Sequence, residues 1–509
     1  MSLLAIPTSP PARRRPSSIG AAMAAHPVPV AVLALLVVLS PALFKHPAEP
    51  GDPVEYLRAA HCVAERFFCA PHDHWSARWP IFTPTGLLFR LIGESRVTLG
   101  LLPLLHCVAS VALFAAILQR LFGRPTALIG GLLFASVPLV SELSMQLNAD
   151  IVETSFLLGG VYALVCARER RQAWLLIAAG VLLALAVETR MTSVVGASLV
   201  GGTLLVVRWP LRDILLVGGS GATLLGASAA AHWIGTGDPL TLYRLSLAHT
   251  QVPTTELPAG LDTSGGPFFN LVLIQNWSRD VAVHWTVDPL VNLLVSAKVG
   301  GALSIAFVLF LLGRASFRGS SVEARSLRHL GLAAAAFLVI IAFGLSIHPT
   351  PRMFLPFVAA IIAMAALIVS TTRTDLRKLV LVLLVPLLML QSFALRYLTY
   401  DPVEVERLAE SWIATAGQGI ATDRMTHRHL GMSKPVRALP EDERVPLQLV
   451  LASGTCETSP KRRPNWSVLR GARVKGAKAD LIEALGRVGY RVEAEPWSLC
   501  LYRASPART

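Results

Sequence analysis

Residues 97–118 read VTLGLLPLLHCVASVALFAAIL, an apolar run without Asp, Glu, Lys or Arg. A helix rises 1.5 Å per residue, so about twenty apolar residues cross the roughly 30 Å hydrocarbon core of a bilayer. Lipid offers no hydrogen-bond partners to the backbone, and an α-helix satisfies its own backbone groups. The run therefore predicts a transmembrane helix.

Similar runs recur along the chain, separated by short segments rich in arginine. The composition agrees, because 53% of the residues are hydrophobic and only 15% are charged, whereas soluble domains are about 25% charged. The sequence predicts an α-helical polytopic membrane protein with about eleven transmembrane helices. The predicted spans are 27–44, 97–118, 125–141, 150–167, 173–188, 192–207, 212–234, 290–312, 329–347, 353–370 and 378–395.

Residues 81–93, IFTPTGLLFRLIG, form an apolar segment that is too short to cross the membrane and contains Arg90. We expect an amphipathic helix lying at the membrane surface. Trp75 and Trp79 precede this segment. They are interpreted as residues of the interfacial aromatic belt in preference to platforms for stacking a sugar.

The basic residues predict the orientation of the spans, because cytoplasmic loops carry an excess of Lys and Arg. With the N-terminus in the cytoplasm, every inside turn is basic, whereas the short outside connections hold only two Arg in total. Arg13–Arg15 before an apolar run also resemble a signal peptide, but the run is long and no clean cleavage site follows it. An uncleaved first helix is therefore favoured. The net charge of +14 is scattered among turns, which argues against a nucleic-acid partner.

Four parts of the chain lie outside the predicted membrane region. Residues 1–26 are rich in Pro, Ser and Arg and are expected to be a disordered cytoplasmic N-terminus. The transmembrane domain, residues 27–395, carries two large outside loops, 45–96 and 235–289. The tail, 396–509, is expected to be a small extracytoplasmic α/β domain.

The tail alternates helical and extended patterns. DPVEVERLAESWIATAG (401–417) begins with Asp and Pro, as helices often do, and LQLVLASG (447–454) has a strand-like pattern. ADLIEALGRVGY (479–490) is an amphipathic helical pattern, and RVEAEPWSLCLYRA (491–504) returns in extended segments.

Four of the six cysteines, Cys62, Cys69, Cys456 and Cys500, fall in outside segments, where disulfides are permitted. Cys456 and Cys500 are one candidate pair, although the connectivity does not follow from sequence alone. On one unbroken helix Cys62 and Cys69 would lie about 10 Å apart along the axis. They can therefore pair only if the helix ends between them.

The sequence contains no convincing metal-binding spacing. His72, Asp73 and His74 are close together in PHDHWS, but ligands at i and i+2 require a third partner. We therefore assign no metal ligands, and the question of a divalent metal cofactor stays open.

Ionisable residues collect at the outer ends of the predicted spans, and such residues are costly near lipid and often functional. Asp52 and Glu55 lie in GDPVEY, Asp150 in QLNAD, Arg190 in VETRM and Arg352 in TPRMF. Each has a structural alternative. Asp52 and Asp150 are suited to capping helices, Glu55 to a solvated helix surface, and the two arginines to anchoring in the interface.

Carboxylates and arginines at one membrane face suit sugar transfer from a lipid phosphate. The leaving phosphate gains negative charge, which a positioned Arg stabilises. The attacking hydroxyl loses a proton, which a carboxylate accepts. No nucleotide-binding loop is visible in the sequence, as expected for a lipid-linked donor.

The order of these motifs resembles the GT-C superfamily of polytopic glycosyltransferases, in the bacterial branch of protein O-mannosyltransferases and aminoarabinose transferases. The resemblance covers roughly residues 27–370. Its motifs are GDPVEYLRAA at 51–60, RWPIFTPTGLLFRLIG at 78–93, ETR at 188–190 and PRMFLPFVAAI at 351–361. Many relatives have two adjacent acidic residues in the first loop and Lys where this chain has Arg190.

The resemblance implies a glycosyltransferase of the cell (inner) membrane that uses a polyprenyl-phosphate sugar donor and a glycan, lipid or protein acceptor of the cell envelope. It implies Asp52 as general base and Arg190 and Arg352 as ligands of the donor phosphate. Glu55 and Asp150 are possible second acidic residues. The alternatives are a membrane transporter or lipid flippase, which typically carries charges at the bilayer midplane, and a scaffold whose tail binds a partner. The outer position of the charges favours the enzyme.

Overall fold

The computed structural model describes most of the chain between residues 52 and 386 and about half of the tail. The described residues are 52–67, 69–144, 146–248, 293, 294, 296, 298–313, 322–344, 351–371, 383–386, 402–416, 420–422, 437–438, 447–453, 455–459, 462, 466–474 and 497–504. The predictions for the N-terminus 1–26, the spans 27–44 and most of 378–395, most of the loop 235–289 and the tail helix 479–490 lie outside them. The chain forms two compact units, Met1–Phe44 with Tyr56–Ser392, and Lys45–Glu55 with Phe393–Thr509.

In its described residues, the first unit consists of helices joined by turns and loops. The helices are α1 (Asp52–Arg66), α2 (Trp79–Ile92), α3 (Arg96–Phe122), α4 (Arg124–Ala135), α5 (Pro138–Leu143), α6 (Ala149–Arg170), α7 (Ala173–Thr189), α8 (Ser193–Val206), α9 (Leu211–Thr236), α10 (Thr241–Ala248), α11 (Gly300–Gly313), α12 (Val322–Val339) and α13 (Leu355–Thr371). A π-helical turn, Ile340–Gly344, continues α12, and a 3-10 turn, Pro351–Phe354, precedes α13.

Five described helices are long and apolar enough to cross a membrane. They are Val97–Phe122, Ala149–Arg170, Leu211–Thr236, Ala324–Ala342 and Arg352–Thr371. Four shorter apolar helices accompany them, at Arg124–Ala135, Ala173–Thr189, Ser193–Val206 and Gly300–Leu309. The predicted polytopic helical fold is therefore confirmed, whereas the number of eleven spans stays a prediction.

The predicted span 125–141 is divided in the structure. Helix α4 ends at Ala135 and α5 begins at Pro138. Proline lacks a backbone N–H and restricts the residue before it to extended conformations, and Val137 accordingly has φ −60° and ψ 124°. The backbone break explains why one apolar run gives two helices.

The expected helix in the segment 81–93 is found as α2, which packs against α1. An added Cβ on Gly86 of α2 would lie 2.5 Å from the Ala60 carbonyl oxygen of α1, so the small residue permits the close approach. Helix α1 ends at Arg66, and Phe67 follows with φ 64°. The chain therefore turns between Cys62 and Cys69, which form a disulfide.

The main core of the bundle is apolar, and glycine permits close helix contacts within the bundle. The main core includes Phe114 of α3, Phe134 of α4 and Ile362 of α13. In contrast, Trp233 and Ile234 of α9 are 63% and 87% exposed. Exposed apolar side chains on so long an apolar helix are suited to contact with lipid.

Substituting Gly180 with Ala should separate α7 from α9 and destabilise the bundle by about 1–3 kcal/mol, the usual cost of overpacking. An added Cβ would overlap the Val217 carbonyl oxygen and the Ser220 hydroxyl of α9. Thermal unfolding of the purified protein in detergent measures the effect. Gly226→Ala, on α9 itself, is the matched control because nothing lies within 4 Å of its added Cβ. Equal unfolding temperatures for the two variants would contradict the prediction.

The second unit contains the expected α/β fold. Helix α14 (Pro402–Ala416) covers a five-stranded sheet of order β2-β1-β3-β5-β4. The strands are β1 (Ile420–Thr422), β2 (Arg437–Ala438), β3 (Leu447–Ser453), β4 (Trp466–Val474) and β5 (Trp497–Ala504). β1 runs parallel to β2 and β3, whereas β5 is antiparallel to β3 and β4. The sequence patterns at 401–417, 447–454 and 491–504 thus match α14, β3 and β5.

The central strands β3 and β5 bury side chains on both faces of the sheet, since successive side chains of a strand point to opposite faces. Leu449 and Leu501 share a core with Trp412 of α14. Val450 and Tyr502 share the opposite core with Cys456. A Cys456–Cys500 disulfide closes that face, and the Tyr502 hydroxyl donates to the Cys456 carbonyl oxygen at 2.9 Å.

Candidate active site

Asp150, Arg190 and Arg352 come together in the first unit. The Asp150 carboxylate is 2% exposed and forms an ion pair with Arg190 through Oδ1. Its other oxygen, Oδ2, lies 3.7 Å from Nε of Arg352. The structure thus joins three residues that are far apart in sequence, and the two arginines meet on one carboxylate.

The start of α6 explains how Asp150 is held. Asn148 is the N-cap, and its side-chain oxygen accepts a hydrogen bond from the Asp150 backbone N–H at 3.1 Å. The capping role considered for Asp150 therefore falls to Asn148. Asp150, in the first helical turn, directs its carboxylate to the arginines instead. The anchoring role considered for Arg190 and Arg352 is likewise replaced by this ion pairing.

Glu153 lies one turn further along α6, so it shares a face with Asp150. Its Oε1 accepts a hydrogen bond from the Ser193 hydroxyl at 2.6 Å, and Arg78 is close enough to interact with its charge. Glu153 is 3% exposed. Two buried carboxylates on one helix face therefore organise residues from the segments around 78, 190 and 352.

Arg78, immediately before α2, is a basic residue at this site to which the sequence analysis assigned no role. Its Nη1 donates a hydrogen bond of 2.6 Å to the hydroxyl of Tyr56, which is fully buried. Its Nε is buried and has no hydrogen-bond partner among the described residues. The sequence marked this position only as the first residue of the RWP motif.

Trp79 and Glu188 form a neighbouring contact. The Trp79 indole N–H donates to Oε2 of Glu188 at 3.0 Å, and the Ser228 hydroxyl donates to the same oxygen at 2.7 Å. The interpretation of Trp79 as a belt residue is therefore incomplete, because its polar edge is bonded inside the protein. The contact joins α2, α7 and α9 two residues before Arg190.

Asp52 is the first residue of α1 and is partly buried. Glu55, in the same first turn, is only 5% exposed. The expectation of a solvated Glu55 is therefore wrong, since its side chain is enclosed.

The described residues contain no group of three His, Cys, Asp or Glu side chains that could hold a metal ion. In the PHDHWS segment, Asp73 and Ser76 instead stabilise a local turn. The Ser76 backbone N–H donates to Oδ1 of Asp73 at 2.7 Å, and the His72 backbone N–H donates to the Ser76 hydroxyl at 3.0 Å.

The comparisons with known proteins bear on this fold. Residues 84–233 match the family model described as dolichyl-phosphate-mannose-protein mannosyltransferase. ArnT from Cupriavidus metallidurans, solved bound to undecaprenyl phosphate, superposes with a TM-score of 0.51 and 13% identity, over 93% of this chain and 97% of that one. This chain has the GT-C fold.

Two more distant structures are similar at lower scores. The oligosaccharyltransferase of Archaeoglobus fulgidus gives a TM-score of 0.45 at 13% identity, over 79% of this chain. The mycobacterial arabinofuranosyltransferase AftD gives 0.48 at 13% identity, over 94% of this chain. The match spans only 63% and 41% of those two chains. No curated protein sequence matches this chain. The resemblance to GT-C membrane glycosyltransferases is thus confirmed through the family model and the fold.

Proposed function

We propose that this protein transfers a sugar from a polyprenyl-phosphate donor to a hydroxyl acceptor of the cell envelope. The observation that carries the proposal is the cluster of Arg78, Arg190 and Arg352 around two buried carboxylates of α6. Three arginines and two carboxylates leave one formal positive charge among these five side chains. Such a partly enclosed cationic cluster suits a phosphate group.

The position of the cluster favours transfer chemistry over transport. Asp150 lies in the first turn of a helix that is long and apolar enough to span the membrane, and Arg190 directly follows α7. The ionic groups are therefore at helix ends, where a lipid head group would lie, whereas transporters typically place such groups at the midplane. The family match supports the same class of reaction.

In the proposed reaction, the acceptor oxygen bonds to the anomeric carbon as the bond from that carbon to the phosphate oxygen breaks. The acceptor's proton passes to Asp52, which we propose as the general base. The electron pair of the broken bond stays on the polyprenyl phosphate, whose charge the arginines stabilise. Glu55 and Asp150 are then supporting carboxylates, and Asp150 sets the direction of Arg190 and Arg352.

We place the reaction on the outer face of the cell (inner) membrane. The basic inside turns predict that the outer ends of α6 and α7 face the extracytoplasmic side. The two disulfides, Cys62–Cys69 and Cys456–Cys500, support that side, since they form in oxidising compartments. The α/β domain would then also lie outside, where a glycan, lipid or protein acceptor is met.

Arg78→Gln should weaken the binding of undecaprenyl phosphate about tenfold or more, because a charge-assisted contact to phosphate is worth roughly 1.5–3 kcal/mol. Binding to the purified detergent-solubilised protein is measured by quenching of intrinsic tryptophan fluorescence. Arg90→Gln is the matched control, since Arg90 lies on α2, the helix that Arg78 precedes, and is exposed and stacked over Phe67.

Loss of binding in both variants would indicate a nonspecific effect of charge. Wild-type binding by Arg78→Gln would remove Arg78 from the site. The function itself is tested by supplying polyprenyl-phosphate sugars to the wild-type protein with envelope extracts and detecting the product by mass spectrometry. Failure of the wild type to bind undecaprenyl phosphate or to transfer any such sugar would overturn the proposed function.

A further inference from the structure

Glu188 is a buried carboxylate inside a helix bundle, outside the cluster that we propose to bind phosphate. It is 3% exposed and lies in the last turn of α7. A buried carboxylate needs hydrogen-bond donors to be tolerated. Glu188 obtains two of them from other elements, the indole of Trp79 and the hydroxyl of Ser228, both on Oε2.

Arg78 and Trp79, at the start of α2, form hydrogen bonds to different helices. Trp79 is bonded to Glu188 on α7, whereas Arg78, its neighbour in the chain, is bonded to Tyr56 on α1. The backbone at Arg78 has φ −89° and ψ 63°, so α2 does not extend to this residue. The Arg78 side chain is therefore not directed by helix geometry, and its position depends on its own bond to Tyr56 and on the anchoring of its neighbour Trp79.

Glu188 is also connected along the chain to Arg190, a second basic residue of the cluster. Arg190 follows it by two residues and caps α7, with its backbone N–H bonded to the Ala186 carbonyl oxygen at 2.9 Å. The Glu188 carboxylate thus links the end of α7, which carries Arg190, to the indole of Trp79, which is next to Arg78. A shift at Glu188 would change the separation of the two arginines.

We propose that Glu188 is a positioning residue for donor binding. Through the Trp79 indole, it fixes the start of α2 against α7 and so sets the distance between the Arg78 and Arg190 guanidinium groups. The inference rests on the proposed function, because it assigns those arginines to the donor phosphate. Ser228 has a different role, since its hydrogen bond to Glu188 holds α9 against α7 and does not involve α2.

The test compares two variants, each of which removes one hydrogen-bond donor from Oε2 of Glu188. Trp79→Phe keeps a ring and removes the indole N–H, and Ser228→Ala removes the hydroxyl. Trp79→Phe should weaken undecaprenyl phosphate binding about three- to tenfold, as expected for one lost hydrogen bond, and should raise KM for the donor with little change in kcat. Ser228→Ala should bind within twofold of wild type.

Glu188→Gln, which still accepts from the indole, should bind nearly as well as wild type, and Glu188→Ala should resemble Trp79→Phe.

Wild-type affinity in Trp79→Phe, or equal losses in Trp79→Phe and Ser228→Ala, would overturn the inference. Should Trp79→Phe fail to fold, which size-exclusion chromatography detects, Glu188→Ala against Glu188→Gln decides in the same way. These readouts have meaning only where the wild type binds undecaprenyl phosphate. Absence of wild-type binding would count against the proposed function. Where the wild type binds, a loss of affinity confined to Trp79→Phe and Glu188→Ala supports the role of Glu188, and an equal loss in Ser228→Ala contradicts it.

Discussion

Asp52→Asn should lower sugar transfer by about 10²–10⁴-fold, the usual effect of removing a general base, while the variant still folds and binds undecaprenyl phosphate. Asn keeps the size and polarity of the side chain at the first position of α1, where Asp52 lies. Loss of a negative charge in the first turn of a helix costs only about 0.3–1 kcal/mol of stability. Single-turnover transfer by purified protein, saturated with donor, separates the two roles.

Glu55→Gln is the control for this experiment. It makes the same chemical change in the same helical turn, at a side chain that is more deeply buried. We expect it to retain more than a tenth of wild-type transfer. Rapid transfer by Asp52→Asn together with slow transfer by Glu55→Gln would move the catalytic role to Glu55.

The sequence predicts the fold of this protein well because the controlling pattern is local. An apolar run such as 97–118 determines a helix by its own length and composition, and the structure has α3 over Arg96–Phe122. The same reasoning is less accurate where an apolar run contains a proline, which lacks a backbone N–H and can end a helix. Residues 125–141 are apolar throughout their membrane portion, yet the proline at 138 divides them into α4 and α5.

The candidate site was predictable only in part. Charges at helix ends are visible in sequence, so Asp150, Arg190 and Arg352 were selected, and the structure does bring them together. Their pairing depends on helix packing over about two hundred residues, which no local pattern contains. Arg78 was overlooked because it lies just before the predicted interfacial segment 81–93, outside the charged ends of the predicted spans. The burial of Glu55 and the bond from Trp79 to Glu188 likewise arise from tertiary contacts.

The Cys62–Cys69 disulfide depends on where α1 ends, which the sequence does not indicate. Spacing permitted Cys62 to pair with Cys69 only if the intervening helix stopped. The stop occurs at Arg66, and Phe67 adopts a left-handed conformation with φ 64°. Nothing in the residues around Phe67 indicates this turn, because bulky residues rarely adopt positive φ.

Asp150→Asn should destabilise the first unit by about 3–5 kcal/mol, the cost of removing one partner of a buried ion pair. Asp150 is 2% exposed, and the Arg190 side chain is 12% exposed, so neither is well solvated by water. Without the carboxylate, Arg190 and Arg352 would repel each other across a poorly hydrated site. We therefore expect a clearly lower thermal unfolding temperature in detergent and weaker binding of undecaprenyl phosphate.

Glu142→Gln is the matched control, because Glu142 pairs with Lys298 at 3.2 Å while both side chains are about 30% exposed. Exposed pairs contribute about 0–1 kcal/mol, so its unfolding temperature should change little. A double variant, Asp150→Asn with Arg190→Gln, tests the cause. Because the second change removes the unpaired cation, the double variant should lose less stability than the sum of the single variants. Strict additivity would show that Asp150 stabilises the protein by some route other than its pairing with Arg190.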